Sequence, residues 1–177
     1  GKSTTIDKYR TEQSLKSIIN NSRGTSLFPK VHFIHGDFDD EEICSILKSK
    51  KLNAAVCATK GEGFGLTLLE SARSGLPIVA TGWSAHTEFL NLGKWVDLTY
   101  DLVDVPKSKI DGKIFIPGAK WAKIDDAHLK KRLRKLYESY SIPKEWAISL
   151  SEKIKNQYSW HNIEKIYDKF LNNVLTL

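Results

Sequence analysis

The apolar positions of this chain recur at helical spacing in some stretches and as short continuous runs in others, and their alternation predicts its elements. Leu15, Ile18 and Ile19 share one face of a helix over residues 5–22, which Ser3, Thr4 or Thr5 can cap. Asn20-Asn21-Ser22-Arg23-Gly24 ends that helix, and a loop containing Pro29 follows. Val31-His32-Phe33-Ile34 then reads as a short buried strand. Past Gly36, with Asp39 or Asp40 as the cap, Ile43, Ile46 and Leu47 mark the inner face of a helix over residues 41–50. Ala54-Ala55-Val56-Cys57-Ala58 is uncharged and continuous, the pattern of a strand covered on both faces. A helix from Gly65 to Arg73 comes next, with Gly75 at a left-handed C-terminal cap and Pro77 behind it. Ile78-Val79-Ala80 is a third strand.

Strands separated by helices need crossover connections, so this order predicts a parallel sheet and an α/β fold. A short helix over His86 to Leu92 is expected after the Thr81-Gly82-Trp83 turn, and Trp95 to Val105 reads as a strand followed by loop. Residues 106–124 are the least regular part. From Asp125 the spacing is helical again, with Asp125 or Asp126 as the cap and Leu129, Leu133 and Leu136 on one face. Pro143 opens a further helix carrying Trp146, Ile148, Leu150 and Ile154. Ile163, Ile166, Tyr167, Phe170 and Leu171 line a last one from about residue 161 to 174. Residues 125–177 thus form a helical tail on a single domain spanning 1–177.

Composition narrows the class without naming a function. A chain of 177 residues with 41% hydrophobic content can bury a core of ordinary size. No apolar run approaches the roughly 18 to 20 residues that cross a bilayer, and the polar start Gly1-Lys2-Ser3-Thr4-Thr5 lacks the character of a secretory leader. Cys44 and Cys57 have no metal-ligand spacing and are read as reduced core residues of a cytoplasmic protein. The net charge of +6 comes largely from Lys48 to Lys51 and Lys130 to Arg134, as in solvated helices. It also suits a phosphorylated small molecule. Nucleic acid is not expected as a partner, because no basic run is interleaved with aromatics or set in a groove-binding motif.

The candidate chemistry lies in Gly61-Glu62-Gly63-Phe64-Gly65. Alternating glycines let a backbone come close to a ligand. Because the loop joins a buried strand to a helix, free amides and the positive end of the helix dipole converge there, as suits a phosphate or diphosphate. On the helix, Thr67, Glu70, Ser71 and Ser74 fall on a polar stripe opposite Leu68, Leu69 and Ala72, so Glu70 can meet a sugar diol and Glu62 a second hydroxylated group. A plain strand-to-helix turn with solvated glutamates carries comparable weight on the residues alone. The dinucleotide fingerprint fails, since Leu66 stands where its third glycine belongs. Gly1-Lys2-Ser3-Thr4 resembles only the end of a phosphate-binding P-loop, and Glu62 and Glu70 are too close in sequence to favour an opposed hydrolytic pair.

Gly61-Glu62-Gly63-Phe64-Gly65-Leu66, Leu69-Glu70 and Gly75-Leu76-Pro77-Ile78-Val79-Ala80-Thr81 closely resemble the Glu-x7-Glu signature of retaining GT-B glycosyltransferases of family GT4. The likeness extends to Val31–Phe38 as the strand before the signature and to Asp40–Leu47 as the helix after that strand. It also takes in the Trp83-Ser84-Ala85-His86-Thr87-Glu88 loop, where many members have glycine in place of Ala85, and Tyr158-Ser159-Trp160. The resemblance implies a Rossmann-like three-layer parallel sheet, one half of a GT-B fold, binding a UDP- or GDP-linked sugar and needing neither cofactor nor metal. It implies that Glu62 is the catalytic-site glutamate at the donor sugar. Gly63, Phe64, Gly65, Leu66 and Thr67 would meet the sugar and diphosphate, and Glu70 the ribose.

For the neighbouring residues plain readings are preferred: a solvated Lys60, an exposed polar helix start at His86 and Glu88, and core or hinge packing for Trp83, Trp121 and Trp160. The resemblance also implies that the first strand, a basic Arg and Lys pair and an N-terminal acceptor domain belong upstream of residue 1. The chain alone would then be incomplete and inactive, and its last helix would expose apolar surface. The acceptor could be a glycan, lipid or protein, with membrane-surface contact in the full protein. The rival expectation is a non-catalytic nucleotide-sugar-binding module of the same fold.

Overall fold

The computed structural model describes residues 4–23 and 29–175. The start of the P-loop-like tetrapeptide, the candidate cap Ser3 and the helix-ending Gly24 lie outside the described residues. Contacts divide the chain into two compact units, Gly1–Ile43 and Cys44–Leu177.

In the first unit, α1 (Thr5–Arg23) is capped by Thr4. The Thr4 hydroxyl oxygen accepts from the Asp7 amide at 3.1 Å and the Asp7 carboxylate accepts from the Thr4 amide at 3.3 Å, a reciprocal capping box. These bonds from Thr4 hold the Asp7 carboxyl below its usual range. Leu15 and Ile19 are half-buried, while Ile18 is exposed. Helix α2 (Asp40–Leu47) repeats the device, with Asp39 and Glu42 bonded reciprocally at 3.0 and 2.8 Å.

The expected strand at Val31–Ile34 does not form. Val31, His32 and Ile34 are exposed, and among the described residues these four take no ladder pairing. A strand exists only through its partner, and short apolar runs do not carry that information.

The second unit holds the sheet. Strands β1 (Ala55–Cys57), β2 (Ile78–Thr81) and β3 (Val96–Leu98) run parallel in that order. Ala55 pairs with Ile78, and Val79 with Val96. The third strand is therefore Val96–Leu98. Helices cover both faces, which makes an α/β three-layer arrangement, as in a Rossmann-like half of a GT-B fold. On one face Ile78 and Ala80 pack with Leu68 and Ala72 of α3 (Leu66–Arg73), Phe89 and Leu90 of α4 (Thr87–Leu90), and Leu150 and Ile154 of α6 (Ser141–Gln157). On the other, Val79, Val96 and Leu98 meet Leu129, Leu133 and Leu136 of α5 (Asp126–Glu138). The period-two alternation along β2 sends successive side chains to opposite layers. Each fully buried Leu, Ile or Phe here contributes about 1.5–3 kcal/mol.

Residues 100–124 hold a hairpin that the apolar pattern did not predict. Strand β4 (Tyr100–Asp104) pairs antiparallel with β5 (Lys120–Ile124) in a separate two-stranded sheet. Lysines at 120 and 123 mask the alternation, since only Ala122 of β5 is buried. The connection between them is turned by Asp111, whose Oδ1 accepts from the amides of Lys113, Ile114 and Phe115 at 2.9 to 3.0 Å. Helix α5 is capped as expected by Asp125, whose Oδ1 accepts from the Ala127 amide at 2.9 Å. The last helix, α7 (Trp160–Leu175), buries none of its residues, in keeping with the apolar surface expected there. Among the described residues no helix is long and apolar enough to cross a membrane.

Candidate functional site

The loop Gly61–Gly65 leaves the carboxyl end of β1 and opens α3. Gly65 is the N-cap residue at φ +87°, and its backbone carbonyl accepts from the Leu68 and Leu69 amides at 2.9 and 3.0 Å. A Cβ there would stand 2.8 Å from the Cβ of His86, so both the dihedral and the space require glycine. No side chain caps α3, and among the described residues nothing accepts from the Leu66 and Thr67 amides. Those donors, with the positive end of the helix dipole, make an anion-accepting point. Around Gly63 the space is open: a Cβ there would meet nothing within 4 Å. Phe64 lies with its ring 5.6 Å from that of Phe89, and Leu66 and Thr67 are exposed.

Helix α3 is fixed at its other end as well. Its terminal carbonyls need partners: the amides of Ser74, Leu76 and Gly75 bond back to Glu70, Ser71 and Ala72 O, and α6 supplies the partner of Arg73 O and a further tie at Gly75. The Lys144 ammonium donates to Gly75 O at 2.7 Å, and the Ser151 hydroxyl to Arg73 O at 2.6 Å. Gly75 takes the left-handed position expected of it, at φ +74°. The uncapped N-terminus is thus set by the sheet, by His86 and by α6 together.

Glu62 is half-buried, and both of its backbone polar groups are taken by one side chain. Its amide donates to Ser84 Oγ at 2.9 Å, and the Ser84 hydroxyl donates to Glu62 O at 2.7 Å. The carboxylate Oε1 lies 3.6 Å from Cys57 Sγ. Burial raises the Cys57 thiol above its usual pKa, and the Glu62 charge pushes the same way. Cys57 is a half-buried neighbour of the site, while Cys44 is exposed rather than a core residue. Glu70 is half-buried on α3 and, among the described residues, has no ion-pair partner. Thr67 is exposed on the same stripe. Ser71 departs from it: it is buried, and its hydroxyl turns back to Thr67 O at 2.7 Å.

Lys60 is exposed, as expected, and its ammonium also lies 3.8 Å from the centre of the Trp121 ring, a cation–π contact. Two plain readings of neighbouring residues need correction. His86 is fully buried, not an exposed helix start; only Glu88 is exposed. The His86 ring bonds Thr81 O through Nε2 at 2.7 Å, and since a carbonyl only accepts, Nε2 carries the proton. Its Nδ1 is buried without a partner. Trp160 is 81% exposed, whereas Trp83 and Trp121 are half-buried beside the loop.

The groups that steady the loop come from parts of the chain far away in sequence. The Thr81 hydroxyl donates to Thr59 O at 2.6 Å, and the Ala122 amide of β5 to Lys60 O at 2.9 Å. Trp83 covers Gly61, where a Cβ would sit 3.1 Å from its ring, and its ring centre is 6.3 Å from that of Tyr100. Ser84, Thr81 and the β4–β5 hairpin are the contributors that sequence reasoning missed. The sequence marks Ser84 only through the family resemblance of the Trp83-Ser84-Ala85-His86-Thr87-Glu88 loop, and nothing local marks Ala122.

Two curated Escherichia coli proteins, each named O-antigen biosynthesis glycosyltransferase WclY, are similar to this chain: 26% identical over 159 residues, covering 90% of it. The chain spans 37% of the length of these relatives. It matches no family model and no solved structure.

Proposed function

We propose that this chain is the donor-binding half of a retaining glycosyltransferase of the GT-B, family GT4 type, holding a UDP- or GDP-linked sugar at the β1–α3 loop. The observation that carries the reading is the uncapped N-terminus of α3, placed at the carboxyl edge of a parallel sheet between Glu62 and Glu70. The free amides of Leu66 and Thr67 suit the diphosphate. Glu70, one turn into the helix, suits a ribose diol, and Glu62 with the open backbone at Gly63 suits the donor sugar. Transfer would proceed through an oxocarbenium-like state, with the amides stabilising the charge that develops on the departing diphosphate. The similarity to the two glycosyltransferases supports this class of reaction, and their name favours a glycan as the acceptor.

Calorimetric titration with UDP- and GDP-linked hexoses tests the reading. One of them binds, and Glu70→Ala weakens it by about 10- to 100-fold, the loss of charge-assisted hydrogen bonds worth about 1.5–3 kcal/mol. Absence of binding to either ligand, or a Glu70→Ala variant that binds as tightly as the parent, sinks the proposal.

A further inference from the structure

Ser84 has the most unusual backbone near the loop. Among the described residues it is the one non-glycine residue with a positive φ, at +97°. A conformation that L side chains rarely adopt persists only where its surroundings hold it. Here the surroundings are identifiable. Its hydroxyl closes a two-way bridge to the amide and carbonyl of Glu62, and its own carbonyl accepts from the Thr87 hydroxyl at 2.7 Å. The bridge joins two loops 22 residues apart in sequence. It ties both backbone polar groups of Glu62 to one side chain.

We propose that Ser84 is a positioning residue that aims the Glu62 carboxylate, its strained backbone being the means by which one hydroxyl reaches both Glu62 groups. A residue in relaxed extended conformation would carry its Cβ elsewhere. Glycine would adopt the same φ freely but has no hydroxyl. The position thus requires a dihedral that favours glycine together with a side chain that glycine lacks. That combination argues for a role other than chain reversal. The inference deepens the donor-site reading and rests on it for its functional consequence: Ser84 acts on the sugar end of the donor, through Glu62, and not on the nucleotide end held by Glu70.

Ser84→Ala and Ser84→Gly, compared with the parent and with Glu62→Ala, separate aiming from simple stability. Ser84→Gly relieves the backbone and melts at a higher temperature than Ser84→Ala. Both lose affinity for the UDP- or GDP-linked hexose by about tenfold, yet bind UDP or GDP alone within about twofold of the parent. Adding Ser84→Gly to Glu62→Ala costs little more than Glu62→Ala alone, because the two act through one contact. Equal losses for nucleotide and nucleotide sugar, or additive losses in the double variant, overturn the inference.

Amide hydrogen exchange at Glu62 provides a readout that needs no ligand. It quickens by about tenfold or more in both Ser84 variants if the bridge holds the loop, and unchanged exchange overturns the inference. Should the parent bind no nucleotide sugar, the donor-site reading fails by itself, and this exchange rate decides whether Ser84 holds Glu62.

Discussion

Helix α3 has eight residues and α7 sixteen, and α7 carries the broader apolar stripe. Yet α3 buries Leu68, Ser71 and Ala72, while Ile166, Tyr167, Phe170 and Leu171 of α7 stay exposed. The difference lies in what each helix meets. Helix α3 lies on β1 and β2, has its carbonyl end tied by Lys144 and Ser151 of α6, and presses its N-cap against His86. An isolated helix of eight residues is marginal in water, so α3 is helical because of its neighbours. The contrast also explains why α3 can hold a site. An uncapped N-terminus offers donors in a fixed direction only if the rest of the helix cannot shift.

Substitutions can sharpen or break this contrast. Leu68→Ala should destabilise the protein by about 2–5 kcal/mol through the cavity it leaves. Ile166→Ala on α7 should stay within about 0.5 kcal/mol. Denaturant melts of the two variants measure the gap, and equal effects would remove the distinction. Gly65→Ala should come next, at about 1–3 kcal/mol, since it adds a left-handed strain to a clash with His86. A neutral result in the same melts would mean that the N-cap is free to relax. Ser151→Ala removes one tie on the α3 carbonyl end and should cost about 1 kcal/mol. No change in its melting midpoint would show that α6 holds α3 by apolar contact alone.

The smallest effect is chemical. Burial keeps the Cys57 thiol protonated to higher pH than an ordinary thiol. A raised folded pKa stabilises the fold below the unfolded value, and that contribution fades as pH rises through the folded one. At pH 8 iodoacetamide should therefore modify exposed Cys44 well before Cys57, with Cys57 catching up only in more alkaline buffer. Mass spectrometry of timed samples reads the order, and equal rates would show that the β1 end of the site is open.

Much of this was legible along the chain. Helices α1, α2, α3, α5, α6 and α7 fall where apolar spacing and capping residues predict them, and β1 and β2 where uncharged runs do. Glu62, Gly65 and Glu70 could be singled out because glycine spacing and helical periodicity are local properties. The misses have a common cause. Among the described residues Val31–Ile34 has strand composition but no ladder pairing, whereas Lys120–Ile124 has a partner that no local pattern announces; Val96–Leu98 lies within the strand expected from Trp95. His86 looked polar and exposed, yet packing made it a buried wall against Gly65.

By itself the sequence determined which segments are helices, where the glycine-rich turn opens one of them, and that two glutamates flank that turn. Dihedral preference, capping and periodicity act within a few residues, so they can be read from one stretch at a time. Tertiary structure decided which strands form the sheet, how deeply α3 is seated, and that Ser84 rather than a neighbour in sequence holds Glu62. Those outcomes depend on hydrogen-bond partners and buried contacts between residues ten or more positions apart, from Leu68 on Ile78 and Val79 beside Val96 to Glu62 bridged by Ser84. A strand's partner and a loop's anchor exist only once the chain has folded.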